Sequence, residues 1–227
     1  MKKDLGDVID TPSVKILFGN KHATLDNLKG EFPEFNFLSV KQTHSDKVVE
    51  AGKVQEADAH FTQLRNTALL ISTADCLPVM VHVPSSALVM GLHAGWRGIE
   101  ANIIGKSLMH LKDRGHDISD AQVWIGPHIG FGSFEVSQDV AERLRKTYKE
   151  LPSLVYGEFE QPQPDPTKKR FNLFLIATLQ LVTAGIHEQN IHSLLINTVK
   201  SKDHESFRRD GATATRNLSF IALKPAH

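Results

Sequence analysis

The 227 residues carry 26 Lys+Arg against 26 Asp+Glu, a formal net charge of zero, with 41% apolar and 23% charged side chains. That composition suits a folded chain with a substantial core. It speaks against a nucleic-acid binder, which would show a basic excess or stripe. No run approaches the roughly 18 apolar residues that a membrane span requires.

The opening MKKDLGDVIDTPS has no apolar h-region and does not read as a secretory signal. A single cysteine forms no internal disulfide and suits a reducing compartment. The expectation is a cytoplasmic protein that meets neither membrane nor nucleic acid, with its oligomeric state left open.

Short segments rich in β-branched and apolar residues predict strands at 37–40, 68–73, 79–83 and 87–92. Apolar residues at 99, 103, 104, 108 and 111 have helical spacing, and Gly115 gives that helix a stop. A strand at 122–125 follows, then a helix at 138–150 with Ser137 as its cap and Val140, Leu144 and Tyr148 on one face. The stretch 152–169 contains QPQPDPTKK, whose prolines donate no ladder or helix hydrogen bond, and reads as an extended surface loop. A helix at 172–183 ending near Gly185 and strands at 193–199 and 218–223 complete the chain. Strands crowded early and helices between the later ones predict an α+β fold of layered mixed sheets with flanking helices, one domain over residues 1–227. No G-x-G-x-x-G or G-x-x-x-x-G-K loop is present to cradle a nucleotide phosphate.

Three segments place a metal-capable side chain at the end of a strand: Gln42-Thr43-His44-Ser45-Asp46, Thr73-Ala74-Asp75-Cys76-Leu77-Pro78 and His93-Ala94-Gly95-Trp96-Arg97-Gly98. Strand ends are where rigid scaffolds present reactive groups. His44, Cys76 and His93 are a two-imidazole, one-thiolate set that zinc accepts, leaving a fourth position for water or substrate. Asp75 or Asp46 is placed to orient or deprotonate that water. The same residues admit two other readings. One is a Cys76 nucleophile activated by His93 or His44; the other is three structural residues, an inert buried thiol among them.

The segments K-Q-T-H-S, T-A-D-C-L-P-V and H-A-G-W-R-G resemble the YfiH-type family, also known as the polyphenol oxidoreductase laccase-domain or purine nucleoside phosphorylase family. Gly126-Pro127-His128-Ile129, Phe134-Glu135-Val136 and Ser206-Phe207-Arg208-Arg209-Asp210-Gly211 resemble its later elements. The resemblance implies an α+β layered fold and a catalytic metal, zinc or copper, on His44, Cys76 and His93. It implies phosphorolysis of adenosine, inosine or methylthioadenosine and deamination of adenosine, hence purine nucleoside and phosphate as partners. Copper-dependent polyphenol oxidation, cysteine hydrolysis and the editing of peptidoglycan precursors are the alternatives on the same site.

Under the nucleoside reading, Arg97 and Arg208 are candidates to grip phosphate through paired guanidinium hydrogen bonds. Gln42 is a candidate for a purine edge, since its amide offers a donor and an acceptor. Packing on Trp96 is the competing role for Arg97, and satisfying loop backbone is that for Gln42. Two departures stand out: Asn197-Thr198 where the family often has Cys-Thr, and Phe134 in place of a tyrosine. Without a second cysteine, fewer soft ligands remain for a multi-copper role.

Overall fold

The computed structural model describes residues 4–52, 55–149 and 158–225. The first part of the chain gives β1 (Gly6–Asp10), β2 (Val14–Gly19), α1 (Leu25–Glu31), β3 (Asn36–Ser39), β4 (Val48–Glu50) and β5 (Ala59–Thr62). Next come β6 (Thr67–Thr73), β7 (Leu77–Val83), β8 (Leu88–Ala94), α2 (Trp96–Glu100), α3 (Ile103–Asp113) and β9 (Gln122–Ile125). The remainder holds β10 (Glu135–Ser137), α4 (Gln138–Lys149), β11 (Glu160–Pro162), β12 (Lys168–Phe171), α5 (Leu173–Thr183), β13 (Ile191–Ser193), α6 (Phe207–Asp210) and β14 (Asn217–Leu223).

Two large mixed sheets form the body, one ordered β1-β2-β14-β6-β3 and the other β13-β9-β7-β8-β5-β4; a small one is ordered β10-β12-β11. The large sheets face each other across Ile16, Phe18, Leu69, Ile71, Met80, Val89 and Ile221. The outer face of the first is covered by Leu28 of α1 with Phe32 and Phe35. The outer face of the second is covered by Ile103, Ile104 and Leu108 of α3, Leu144 of α4 and Ile176 of α5. This is the expected α+β layering, in the order helix, sheet, sheet, helices. The central strands β7 and β8 are therefore buried on both faces, every residue of each. That explains why they read as unbroken apolar runs instead of alternating ones.

Four expectations need correction. The periodic run 99–111 is two helices, because Asn102 takes a left-handed conformation (φ 58°) and starts α3 anew by accepting from the Gly105 N–H. Ser137 ends a strand, and its hydroxyl donates to Asp139 instead of capping α4. The proline-rich stretch contains the antiparallel pair β11–β12, with Pro162 at the end of an outer strand where no donor is required; residues 152–157 of that stretch lie outside the described ones. Of the run 193–199, only Ser193 is in a strand. Residues beyond it form a loop that exchanges backbone hydrogen bonds with His128, Thr198 donating to its carbonyl and Ile196 accepting from its N–H.

Candidate metal centre and cleft

The three metal-capable side chains converge where the chain passes between the large sheets. His44 lies in the turn after β3, itself in a left-handed conformation (φ 59°). Cys76 lies on the short crossing from β6 to β7, after Asp75 (φ 87°). His93 is the penultimate residue of β8. Their donor atoms all lie within 4.8 Å of one another, with Cys76 Sγ 3.8 Å from His44 Nε2. Among the described residues this is the one such group of three or more His, Cys, Asp or Glu side chains.

Gly95 closes the back of the cluster. A Cβ there would lie 2.9 Å from both Cys76 Sγ and His44 Cδ2, so only glycine lets the backbone pass this close to the ligands. A thiolate and two imidazoles gathered in such a cradle fit a zinc- or copper-sized ion.

One residue that the sequence reading missed holds the centre together. Asp58, just before β5, is fully buried. Its Oδ1 accepts from His93 Nδ1 at 2.7 Å and from the His44 N–H at 3.0 Å. Its Oδ2 accepts from the Thr43 and Ser45 N–H groups and the Ser45 hydroxyl, at 3.1, 2.6 and 2.7 Å. Burial raises the Asp58 pKa, but the bonds from His93, Ser45 and Thr43 outweigh it and hold the carboxyl far below its usual range. Burial likewise pushes His93 down, while Asp58 and Cys76 lift it to about 9. For Cys76, burial pushes the thiol up and the two imidazoles draw it down to about 7. The metal-free centre thus favours a thiolate beside a protonated imidazole.

The cluster opens into a cleft of about 770 Å³. Ile129, Phe134, Val136, Val140 and Leu173 line an apolar wall, and Trp96, Arg97, Arg208 and Arg216 are also exposed to it. Arg97 lies over the Trp96 ring with its Cζ 4.4 Å from the centroid; Arg143 is near the same ring at 4.9 Å. Arg208 donates from Nη1 to the Ser133 carbonyl at 3.2 Å and lies 5.7 Å from the Phe134 centroid. Among the described residues neither Arg97 nor Arg208 has an ion-pair partner, so both are available to an anion in the cleft.

Two further sequence candidates line the cleft and also brace it. Gln42 uses both ends of its amide on Ser72, donating to its carbonyl (2.7 Å) and accepting from its N–H (2.8 Å). A purine edge would have to displace that pair. Asp75 accepts from the Thr198 hydroxyl and the Arg208 N–H, both at 2.6 Å, which ties the cysteine turn to the two later loops. Asp46 pairs with Lys106 and does not line the cleft. Arg209 is structural as well, donating to the carbonyls of Thr198, Ser201 and His204 while pairing with Asp210. At the position of the missing cysteine, Asn197 donates to the Ser133 hydroxyl at 2.9 Å.

Residues 19–224 match the sequence pattern of the multi-copper polyphenol oxidoreductase laccase family. The chain belongs to that family. It is 34% identical over 183 residues to a purine nucleoside phosphorylase of Haemophilus influenzae, a match covering 78% of this chain and 70% of that one. A purine nucleoside phosphorylase of Aquifex aeolicus is 28% identical over 98% of both chains. Among solved structures, YlmD of Geobacillus stearothermophilus superposes with a TM-score of 0.83 at 24% identity, covering 98% of this chain and 100% of that one. The fold is therefore that of YfiH and YlmD proteins. Among the described residues, no helix is long and apolar enough to cross a membrane.

Proposed function

We propose that this member of the family is a zinc-dependent purine-nucleoside phosphorylase that accepts adenosine, inosine or methylthioadenosine and also deaminates adenosine. The observation that carries the reading is the His44–Cys76–His93 cluster opening into a cleft that also presents unpaired guanidinium groups. The names of the relatives support the same reaction class. A single three-donor cluster among the described residues supports one metal ion over a multi-copper centre, and phosphorolysis requires no redox change.

In phosphorolysis a phosphate oxygen bonds to the sugar C1′ while the bond from C1′ to the purine nitrogen breaks. The bonding pair leaves with the base, which takes up a proton. Arg97, lying over the Trp96 ring, and Arg208, fixed through its backbone by Asp75, are the groups that would bind phosphate. The apolar wall of Phe134, Val136 and Leu173 would take the base. Asp75 and Glu135 are the carboxylates lining the cleft. Asp75, bound by Thr198 and Arg208, and Glu135, paired at 3.4 Å with Lys168, would both contribute negative charge towards a developing positive charge on the sugar. A zinc ion on the cluster would supply a Lewis acid at the side of this cleft.

The test is chromatography of adenosine, inosine or methylthioadenosine incubated with zinc-loaded protein, with and without phosphate, beside Cys76→Ala. Adenine that appears only with phosphate is the expected result, with inosine that appears without phosphate reporting deamination. Cys76→Ala should bind no zinc and yield neither product. Untouched adenosine, inosine and methylthioadenosine would overturn the reading.

A further inference from the structure

We propose that Asp58 is the positioning residue of the metal centre: it selects Nε2 of His93 as the metal donor and sets the His44 turn, so that one buried carboxylate places two of the three ligands. The inference rests on the metal-site reading above.

The argument begins with what an ionised carboxylate can do. It only accepts, so the 2.7 Å contact with His93 requires a proton on Nδ1, which leaves Nε2 as the nitrogen that would give up its proton to a metal. The Asp58 side chain is fully buried and His93 is 3% exposed, so the bond is shielded from solvent. The His93 N–H also donates to the Asp58 carbonyl at 2.7 Å, which fixes the imidazole at its root as well as its edge.

The other bonds of the carboxylate reach the loop that carries His44. Three consecutive N–H groups, those of Thr43, His44 and Ser45, point at one side chain. Such a nest holds the left-handed conformation at His44, which costs a non-glycine residue energy unless its surroundings fix it. Asp58 precedes a strand of the six-stranded sheet, whereas the His44 turn follows a strand of the five-stranded one. The carboxylate therefore braces the ligands across the gap between the sheets, and Cys76 lies on the crossing beside it. Partners of this kind typically change metal affinity 10- to 100-fold when removed.

Two measurements test the proposal. In zinc-loaded wild-type protein, long-range nitrogen NMR of the imidazoles should show His93 protonated at Nδ1 and metal-bound at Nε2; the opposite pattern overturns the assignment. In Asp58→Asn, the amide nitrogen must face a donor at one of its former contacts, so the ligands should lose register. Zinc affinity, measured against a chromophoric chelator, should fall about 10- to 100-fold, and the cobalt–thiolate absorption of the cobalt-substituted protein should shift. Ser45→Ala removes one bond to Asp58 without touching His93, and should change affinity far less. Wild-type zinc affinity and cobalt spectrum in Asp58→Asn would overturn the proposal. If Asp58→Asn does not fold, the wild-type NMR pattern still decides the assignment. A wild-type protein that binds no zinc would instead refute the metal-site reading itself.

Discussion

Gly95→Ala isolates the geometry of the centre. The glycine has φ −77° and ψ 170°, an ordinary extended conformation open to any L-residue, so the substitution introduces no backbone strain. What it introduces is one methyl group, 2.9 Å from Cys76 Sγ and 2.9 Å from His44 Cδ2, where ordinary contacts begin at 3.4 Å. Both ligands must retreat by roughly 0.5 Å, against a tolerance of about 0.2 Å in metal–ligand distances. Neither can retreat freely, because the His44 turn is tied to Asp58 and the cysteine turn is tied through Asp75 to Thr198 and Arg208. Zinc affinity should fall about 10- to 100-fold, or roughly 1.4–2.8 kcal/mol, as read by chelator competition. The metal-free variant should melt roughly 2–12 °C below wild type, since overpacking costs about 1–3 kcal/mol and each kcal/mol is worth about 2–4 °C at this length. Wild-type zinc affinity in Gly95→Ala would refute this arrangement of the ligands.

Two other predictions probe the cleft and the core. Arg97→Met and Arg208→Met each remove a candidate phosphate grip worth about 1.5–3 kcal/mol, so the KM for phosphate should rise at least tenfold, with zinc content unchanged. An unchanged KM in both variants would move the anion elsewhere in the cleft. His60 is 1% exposed in the core, its Nε2 lacks a partner, and burial lowers its pKa from 6.5 to about 4. The unfolded chain takes up that proton as pH falls through 6.5 and the folded protein does not. The stability is therefore complete above pH 6.5 and lost towards pH 4. In chelator, urea unfolding at pH 7.5 and 5.0 should show wild type losing about 2 kcal/mol more than His60→Leu. Parallel losses would exclude His60 as the cause.

The sequence showed the metal-capable side chains more clearly than their supports. His44, Cys76 and His93 stand at strand ends in segments with little other reason to combine such side chains, and β6, β7 and β8 appear as apolar runs because both of their faces are covered. Asp58 carries no such signal: an aspartate before a four-residue strand looks like any turn residue, and its partners become visible only once two sheets are docked. Gln42 and Asp75 are ambiguous for the converse reason. Their polar groups suit a substrate and a backbone equally, and Ser72, Thr198 and Arg208 come from distant parts of the chain. The helix pattern runs on through Asn102 because α2 and α3 bury their apolar residues in the same core, and hydrophobic spacing does not register one left-handed residue. β1 exposes most of its side chains and therefore shows no apolar alternation to read.

The position of Cys76 on the crossing between sheets bears on the order of folding. β6 lies in one sheet, β7 and β8 in the other, and His44 follows a strand that pairs with β6. A chain in which only the first sheet has formed presents His44 and Cys76 without His93; one in which only the second has formed presents Cys76 and His93 without His44. Such long-range pairings come late because the entropy of closing their loops must be met first. The nascent protein therefore offers any metal only two of the three donors until the sandwich closes, and the full cluster appears as a product of that closure.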